Sequence, residues 1–272
     1  MQNKLSALPA PALAGVVKEK TVRGANAAIR NCRLDGADMI DLHLSCLENT
    51  DVETIARIVK ASALPILALH YNDTYDRQPA GVPEEARVAC LLRAVKAGVA
   101  GIDMQGYTFD PQSKDGFRGE DQYSFTKDAP KEVVTDGAVI AKQCELIEKV
   151  HALGAEVLLS CHPGVAMRAE QVVELALFLE RRKPDIIKIV TTAKTEEELT
   201  ESFAAMTALK KAVRTPVAYH VSGKAGRLSR IVNPLLGGQI AFCVDRYDER
   251  STMEQLDLHS ARVTVDAVRR MI

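Results

Sequence analysis

One lysine of this sequence lies inside a run of branched apolar residues, where a charged side chain is unexpected. Lys188 is the central residue of DIIKIVT (185–191), and its neighbours on both sides are isoleucines. An ammonium group buried without a partner is costly, so such a lysine tends to lose its proton and to act as a nucleophile toward carbonyl groups. The structural alternative is a lysine paired with a carboxylate or extended to the rim of the sheet, and the pattern alone favours neither.

A histidine ends the apolar run that comes before this lysine in the chain. The stretch EVLLSCHPGVA (156–166) predicts a strand that ends at His162, next to a Pro-Gly pair. Consecutive strands of a parallel sheet lie roughly 4.8 Å apart, so His162 and Lys188 are expected at neighbouring strand ends. A histidine beside a deprotonated lysine provides the groups needed for imine chemistry with proton transfer. Taken alone, His162 would more often be a hydrogen-bonded structural histidine.

Polar residues of catalytic or ligand type also end several of the other apolar runs. In an α/β barrel the chemistry takes place at the carboxyl ends of the strands, so these ends predict the site. Asp41 with His43, and Asp103 with Gln105, are two residues apart and therefore fall on one face of a strand. The full set of strand-end residues is Asp41, His43, His70, Asp103, Gln105, Ser160, His162, Lys188, His220 and Ser222.

Short apolar runs alternate with amphipathic segments along the chain, which predicts parallel strands joined by helices. Capping boxes at Thr50–Glu53 and Thr195–Glu198 mark two of the helix starts. The predicted strands are GVVKEKTV (15–22), DMIDLHL (38–44), LPILALHY (64–71), AGIDMQ (100–105), EVLLSC (156–161), DIIKIVT (185–191), PVAYHVS (216–222) and QIAFCV (239–244). Eight such units in 272 residues indicate an α/β fold, a single (β/α)8 TIM barrel domain over residues 1–272. A doubly wound open sheet is the alternative, weakened because no Gly-rich dinucleotide motif follows an early strand.

The composition limits the class of protein and its partners. Net charge is −1, from 35 basic and 36 acidic residues, which favours neither nucleic acid nor a membrane as a partner. No apolar run approaches the ~20 residues of a membrane span, and the segment MQNKLSALPAPALAG lacks the apolar core of a signal peptide. Six scattered cysteines without a CxxC pair predict reduced, mostly buried thiols in a cytoplasmic protein.

One polar segment interrupts the alternation of strands and helices. Residues 106–133 contain Pro and Gly and follow the fourth predicted strand. A loop of this length in a compact domain is usually a lid over a site or part of an interface. Aromatic residues within it favour an ordered loop over a disordered insertion, so we predict a loop insertion at about 106–133.

In their order along the chain, these motifs resemble those of type I 3-dehydroquinate dehydratase, a family that forms a Schiff base with its substrate. The resemblance covers most of the chain, and its catalytic pair is carried by SCH (160–162) and DIIKIV (185–190). The other matching segments are GADMIDLHL (36–44), GIDMQ (101–105), SGKAGRLSR (222–230) and a lid pattern formed by Ser251 and Gln255.

The resemblance implies a Schiff-base dehydratase that acts on a small-molecule substrate. Lys188 would condense with the C3 ketone, and His162 would remove a proton from C2 and then help the C1 hydroxyl leave as water. Because the iminium acts as the electron sink, neither a metal nor another cofactor is expected. The family further implies a homodimer, and it implies that the substrate carboxylate is held by Arg230, Ser251 and Gln255.

The chain departs from the family pattern around the catalytic histidine and the substrate hydroxyls. Where this chain has Gln105 the family has a glutamate that hydrogen-bonds the histidine, so Gln105 is expected to take that place without the charge. The family's Glu and Arg on the second strand appear as Asp41 and His43, and its third-strand arginine is replaced within His70-Tyr71. These changes predict an imine-forming site with an altered substrate-binding part. The expected substrate is 3-dehydroquinate or a related hydroxy-keto acid.

Other classes of protein stay open from the residues. A class I aldolase or lyase acting on a sugar-derived ketone or phosphosugar would also use Lys188, and Ser222-Gly223-Lys224 follows the seventh strand, where barrels often hold phosphate. A metal-dependent barrel enzyme would use the Asp/His cluster at the strand ends, but this leaves the lysine unexplained. A non-catalytic relative is the least expected class, because Lys188 and His162 are both present.

Overall fold

A computed structural model describes residues 4–71, 82–110, 132–248, 251 and 254–272 of the chain. Eight strand–helix units follow one another in these ranges, so the predicted α/β class and (β/α)8 order are confirmed. The strands are β1 (Ala12–Val17), β2 (Met39–His43), β3 (Ile66–Leu69), β4 (Gly101–Gln105), β5 (Glu156–Cys161), β6 (Ile186–Thr192), β7 (Val217–Ser222), β8 (Ile240–Val244) and β9 (Leu256–Asp257). The helices are α1 (Val22–Leu34), α2 (Val52–Ala61), α3 (Glu84–Lys96), α4 (Gly137–Ala152), α5 (Ala169–Glu180), α6 (Glu196–Ala212), α7 (Ser229–Leu235) and α8 (Leu258–Met271). None of the helices in the described ranges is long and apolar enough to cross a membrane.

The chain divides into two compact units. The first unit contains Met1–Asp103, Leu153–Glu156 and Ile240–Ile272, and the second contains Met104–Ala152 and Val157–Gln239. The strand order is β9-β8-β1-β2-β3-β4 in the first unit, to which β4 belongs up to Asp103, and β5-β6-β7 in the second, to which β5 belongs from Val157. Neighbouring strands within each unit are parallel. The single domain over residues 1–272 stays a prediction.

The strands are almost continuous apolar runs, as expected of parallel strands that are covered on both faces. All six residues of β1 and of β5 are buried, as are all five of β2 and of β8. Polar residues that interrupt such runs are held out of water by the fold, so they need partners inside it. Asp41, Asp103, Lys188 and His220 are residues of this kind, and each is at most 6% exposed.

Two helix starts show how far local sequence signals determine the structure. The hydroxyl of Thr195 accepts from the N–H of Glu198, and the Glu198 carboxylate accepts from the N–H of Thr195, both at 3.3 Å, so the capping box of α6 is confirmed. The capping box at Thr50–Glu53 is wrong, because Asp51 caps α2 and accepts from the N–H of Thr54 at 2.6 Å. Aspartate ranks above threonine as an N-cap, which explains the choice.

The first strand begins earlier than its apolar pattern predicted. β1 covers Ala12–Val17 instead of 15–22. Lys18 and Glu19 lie beyond the strand, and Thr21 caps α1 by accepting from the N–H of Gly24 at 3.1 Å. The charged second half of the predicted run therefore belongs to the turn into the helix, where its side chains reach solvent.

Replacing Thr195 by alanine removes the side-chain acceptor at the start of α6. We expect Thr195→Ala to lower the free energy of unfolding by about 1 kcal/mol. Thr200→Ala is the matched control in the same helix; Thr200 is exposed and its hydroxyl donates to the carbonyl of Glu196, so this change should stay within about 0.5 kcal/mol. Urea titrations measure both variants, and equal losses would contradict the role of the cap.

Candidate active site

Three neighbouring strands of the second unit place two of the predicted catalytic residues, Lys188 and His162, on one face. Ser160 of β5 and Ala218 of β7 lie opposite Lys188 of β6 in the parallel register. Side chains two residues further along point to the same side, so this face also carries His220 and His162, which directly follows β5. The register therefore brings one histidine to each side of the strand that carries the lysine. We call this the shared face.

Lys188 is buried in the middle of β6. It is 6% exposed, and its neighbours Ile187 and Ile189 are fully buried on the opposite face of the strand. Most of the lysine side chain therefore lies out of water, which disfavours the alternative of a lysine extended into solvent at the rim. Lys188 is the third of the seven residues of β6, so it lies inside the strand and not at the strand end where the sequence analysis expected it.

His162 is oriented by a buried carboxylate, that of Glu132. Oε2 of Glu132 accepts hydrogen bonds from Nδ1 of His162 at 2.9 Å and from its backbone N–H at 2.7 Å. Glu132 is 1% exposed and His162 is 6% exposed, so the pair lies out of water. Because Nδ1–H is donated to the carboxylate, the neutral imidazole keeps its lone pair on Nε2, which is then the nitrogen that accepts a proton.

Both ends of the long loop contribute to the position of Glu132. The N–H of Gly106, just after β4, donates to the carbonyl of Ser160 at 2.6 Å. A side chain at Gly106 would collide with the carbonyl oxygen of Glu132 and crowd that of Ser160, so glycine is required here. Nε2 of Gln143, fully buried in α4, donates to the carbonyls of Gly106 and Thr108 at 2.8 Å each. These hydrogen bonds hold the turn after β4, against which the carbonyl of Glu132 packs.

The backbone of Glu132 is in a conformation that residues with a side chain rarely adopt. Its φ is 60°, in the left-handed region. Such a conformation costs on the order of 1–3 kcal/mol and persists only where the surroundings hold it. The two hydrogen bonds to His162 are contacts of this kind. Backbone strain and the orientation of the histidine therefore depend on the same residue.

Gln105 ends β4 and is fully buried. The sequence predicted that this amide would stand where the family has a carboxylate behind the catalytic histidine. A carboxylate does bond the histidine, but it belongs to Glu132, which no motif indicated. Of the loop predicted at 106–133, residues 111–131 lie outside the described residues, and Glu132 is the first described residue after that gap.

His220 of β7 is the second histidine of the shared face, and it is 2% exposed. Burial lowers the pKa of this imidazole well below its usual 6.5. The charge of Arg230 lowers the same pKa further, and so do Lys188 and His162 when they are protonated. His220 is therefore neutral at neutral pH. The surrounding group of basic side chains suits an anionic substrate.

Cys161 lies between Ser160 and His162, and it is fully buried. Burial raises the pKa of the Cys161 thiol well above its usual range, and the charge of Glu132 raises it as well, whereas Arg182 lowers it. A thiol with a raised pKa stays protonated and is a poor nucleophile. Cys161 therefore has a packing role. None of the six cysteines, all of which lie in the described ranges, forms a disulfide, in agreement with the thiols predicted from their spacing.

The first unit holds a second set of predicted site residues, which begins with Asp41 and His43 of β2. Both are buried, and Nε2 of His43 lies 3.6 Å from Oδ2 of Asp41. The rings of His43 and Tyr71 are tilted by 55°, with 6.1 Å between their centroids. Within the described ranges, Oδ1 of Asp41 has no hydrogen-bond partner. A buried carboxylate oxygen in this state is suited to accept a hydroxyl group of a ligand.

The end of β3 is held by an arginine of α3. Arg87 is fully buried, and its Nη1 donates to the carbonyl of His70 at 3.1 Å. Its Nε and Nη2 donate to the two carboxylate oxygens of Glu84 at 2.8 and 2.7 Å, a bidentate pair. Nδ1 of His70 donates to the carbonyl of Tyr71 at 3.0 Å. An arginine thus stands at the third strand end, although it comes from the helix and not from the strand.

Ser251 and Gln255 line a pocket of about 320 Å³ in the first unit, beside the ends of β1 and β8. Basic and acidic side chains both line this pocket, among them Lys18, Arg246 and Asp248. The hydroxyl of Ser251 donates to Oδ1 of Asp248 at 3.2 Å and accepts from its backbone N–H at 3.1 Å. Polar groups of both signs therefore surround the two residues that the resemblance assigns to the substrate carboxylate.

The residues considered for a metal-dependent enzyme do not form a ligand set. In the part of the chain that the structure describes, no three His, Cys, Asp or Glu side chains come together in a way that could hold a metal ion. Imidazole and carboxylate groups approach each other in pairs: His43 with Asp41, His162 with Glu132 and, nearer the surface, His151 with Asp185. A metal-dependent enzyme is therefore supported only by the types of residue at the strand ends.

The predicted site residues are distributed over both units. The second unit contains Gln105, His162, Lys188 and Arg230. The first unit contains Asp41, His43, His70, Ser251 and Gln255. The groups proposed for the bond-making steps are thus all in the second unit.

Sequence comparison with known proteins gives the family. The family model described as Type I 3-dehydroquinase matches residues 135–269, the part of the chain that carries His162, Lys188 and Arg230. A 3-dehydroquinate dehydratase of Desulfotalea psychrophila is 26% identical over 231 residues, which cover 85% of this chain and 87% of that protein. These matches support a divergent member of the type I 3-dehydroquinase family. A 3-dehydroquinate dehydratase of Methanoregula boonei is 25% identical over 210 residues, 76% of this chain and 79% of that protein.

Solved structures of 3-dehydroquinate dehydratases share the fold over nearly the whole chain. The protein from Geobacillus kaustophilus gives a TM-score of 0.75 at 14% identity, and covers 99% of this chain and 97% of its own. The type I 3-dehydroquinate dehydratase from Clostridium difficile gives 0.73 at 14% identity, with 97% and 94% covered. The type I 3-dehydroquinase fold is therefore kept while most of the residues that build it differ.

Three residues that support the predicted site gave no clear sequence signal. Glu132 lies in a polar loop, 30 residues before the histidine that it bonds. Gln143 is an amide on the buried face of α4, which is a weak sign of a buried hydrogen bond. Arg87 follows Glu84 by three residues in a helix, a spacing typical of a solvent-exposed pair.

A buried histidine with a lowered pKa makes the folded state less stable in acid. The unfolded chain binds a proton at His220 near pH 6.5, whereas the folded chain binds it only at lower pH, so stability falls as the pH drops below about 6.5. His220→Gln should remove this contribution, which has a slope of up to about 1.4 kcal/mol per pH unit.

Urea unfolding between about pH 7.5 and about pH 5 measures this difference. Wild type should lose more stability over the range than His220→Gln. His259→Gln, which changes an exposed histidine of α8, should keep the wild-type slope. The interpretation fails if His220→Gln and wild type lose stability in parallel.

Proposed function

We propose that the chain is a Schiff-base-forming dehydratase that eliminates water from 3-dehydroquinate or a closely related hydroxy-keto acid. The observation that carries the proposal is the placement of Lys188 and His162 on one buried face, with Glu132 bonded to the histidine. Membership of the type I 3-dehydroquinase family, with relatives named as 3-dehydroquinate dehydratases, makes the chain a carbon–oxygen lyase.

The first stage of the reaction is imine formation at Lys188. The amine attacks the ketone carbon, a C–N bond forms, and the electron pair of the C=O bond moves to oxygen. Loss of that oxygen as water leaves a C=N bond to Nζ, protonated on nitrogen as an iminium. Burial of Lys188 supports this stage, because a site closed to bulk water limits the premature hydrolysis of the imine.

The second stage is the elimination, for which His162 supplies the base and then the acid. Nε2 removes a proton from the carbon next to the iminium, and the C–H electron pair moves toward the iminium nitrogen to give an enamine. Return of that pair expels the hydroxyl one carbon further on, and the imidazolium gives its proton to the leaving oxygen. Hydrolysis of the imine then releases the product and restores the amine of Lys188.

Glu132 is a positioning residue in this mechanism, since it acts through His162. The hydrogen bond from Nδ1–H to Oε2 holds the ring in the tautomer with a basic Nε2. Between the two proton transfers the ring is an imidazolium, and the buried negative charge stabilises that state. Glu132 thereby supplies the charge that Gln105 lacks.

The remaining predicted residues would bind the substrate. The planar guanidinium of Arg230 suits a carboxylate, with Ser251 and Gln255 as its proposed partners. Hydroxyl groups would be contacted by Asp41, His43 and His70. The open Oδ1 of Asp41 supports its share in this role. Because these hydroxyl-binding residues differ from the family pattern, they are the positions where a related hydroxy-keto acid would be distinguished from 3-dehydroquinate.

Borohydride reduction in the presence of ketones tests the imine. With 3-dehydroquinate, wild type should give a reduced adduct on Lys188, found by mass spectrometry, and Lys188→Ala should give none. His162→Ala should still form the adduct while dehydration slows by about 10²-fold or more.

A phosphosugar ketone in the same trapping panel separates an aldolase from a dehydratase. An adduct with the phosphosugar and none with 3-dehydroquinate would favour the aldolase. The proposal is wrong if the trapped adduct lies on another lysine, or if none of the ketones gives an adduct with the folded wild-type protein.

Glu132→Gln keeps the size of the side chain and an acceptor oxygen, and removes the negative charge beside His162. We expect kcat to fall on the order of 10-fold or more with little change in KM, because the charge is needed when the imidazolium forms. Glu148→Gln, an exposed carboxylate of α4, is the matched control and should turn over like wild type. Steady-state assays measure both, and an unchanged kcat in Glu132→Gln would remove Glu132 from the mechanism.

A further inference from the structure

We propose that His220 is a second proton-transfer residue of this site, which serves the amine of Lys188 while the imine forms and is hydrolysed. His162 serves the carbon chemistry, so the two histidines divide the proton transfers between them. This inference rests on the proposed function, because it requires an imine at Lys188. It assigns a role to a buried histidine that the dehydration steps leave unused.

The backbone register places His220 beside Lys188. Ala218 of β7 lies opposite Lys188 of β6, and His220 lies opposite Val190. Two residues along a parallel strand span about 6.6 Å and neighbouring strands lie about 4.8 Å apart, so the Cα atoms of Lys188 and His220 are roughly 8 Å apart on a diagonal. Both side chains stand on the shared face and extend from it, so the imidazole and the amine are within reach of each other.

The same register places His162 on the other side of the lysine. Ser160 of β5 lies opposite Lys188, and His162 is two residues further on. Its Nδ1 is already bonded to Glu132, so Nε2 is the one ring nitrogen that exchanges protons with a substrate. Imine formation needs proton transfers at the amine and at the ketone oxygen, whereas elimination needs them at other atoms. With a second imidazole next to the amine, His220 can carry out the proton transfers of imine formation while His162 stays in place for those of elimination.

The surroundings of His220 keep it as a neutral imidazole. It is 2% exposed, and burial lowers its pKa well below 6.5. The charged groups that act on it are Arg230 of α7, Lys188 of β6 and His162 beyond β5, and all three lower the same pKa. A neutral imidazole has one nitrogen that accepts a proton and one that donates a proton, which a relay between two atoms of the same intermediate requires.

The proposed proton transfers balance at each step. Starting from the ammonium form, His220 takes a proton from Nζ, and the freed amine attacks the ketone carbon. The imidazolium gives this proton to the new alkoxide oxygen, and His220 then takes a second proton from the nitrogen. It gives that proton to the hydroxyl group, which leaves as water while the nitrogen lone pair forms the C=N bond. Two ammonium protons end on the water, the iminium keeps the third, and His220 is neutral again.

A rapid-quench trapping experiment tests this division of roles. Wild type and His220→Gln are mixed with 3-dehydroquinate and quenched with borohydride after increasing times, and mass spectrometry gives the fraction of Lys188 that carries the adduct. We expect the rate of adduct formation to fall on the order of 10²-fold in His220→Gln. With substrate deuterated at the carbon that loses its proton, the isotope effect on turnover should shrink toward about 1, because imine formation becomes limiting.

His162→Ala provides the opposite result in the same experiment. Its adduct should form at the wild-type rate and accumulate, because elimination is the step that it lacks. His259→Gln, an exposed histidine of α8, is the matched control and should behave like wild type in both measurements. Adduct formation at the wild-type rate in His220→Gln would overturn the proposal.

A rescue experiment separates proton transfer from a structural role of His220. In His220→Ala, added imidazole should restore adduct formation in proportion to its concentration. The restored rate should change with pH as the added imidazole changes between its neutral and protonated forms. A slow variant that is not rescued, with circular dichroism like wild type, would assign His220 to packing and reject the proposal. If wild type itself forms no adduct, the proposed function fails. If wild type and His220→Gln form the adduct at the same rate, only the role of His220 fails.

Discussion

A lysine in the middle of a buried parallel strand constrains the residues around it, because a polar group held out of water needs partners inside the fold. Lys188 stands on a face where each adjoining strand supplies a histidine, His162 after β5 and His220 on β7. One of these imidazoles is bonded to a buried carboxylate, and the other is kept neutral by burial and by neighbouring positive charge. The charges on the shared face are therefore set by Lys188 and by the groups that surround it.

The order of elements could be predicted from the sequence because a parallel strand covered on both faces leaves a short apolar run that is hard to mistake. The runs for β2 to β8 lie within a residue or two of the observed strands. β1 was placed too late, since the alternation of charge in its second half resembles a strand that faces water on one side. The start of α2 was misplaced by one residue, because Thr50 and Asp51 both have side chains able to cap a helix and only the folded chain selects one.

Only the part of the site that lies on the strands could be predicted, because strand order and side-chain alternation determine where those residues point. Those two rules placed Lys188 and His162 on the shared face, and they did so without any knowledge of loops. Glu132, Gln143 and Arg87 escaped prediction because each acts through a contact with a distant or irregular part of the chain. Glu132 makes the difference clear: its side chain bonds a residue 30 positions away, and its backbone has a positive φ that no propensity would suggest.

The two ends of the loop after β4 are fixed close together. Gly106 is bonded to Ser160 and packed against the carbonyl of Glu132, and Gln143 ties the same turn to α4. Residues 111–131 connect these fixed points. Contacts on both sides of this segment therefore hold the backbone near the carboxylate that bonds His162. The orientation of the His162 ring is thereby tied to the turn after β4 as well as to its own strand.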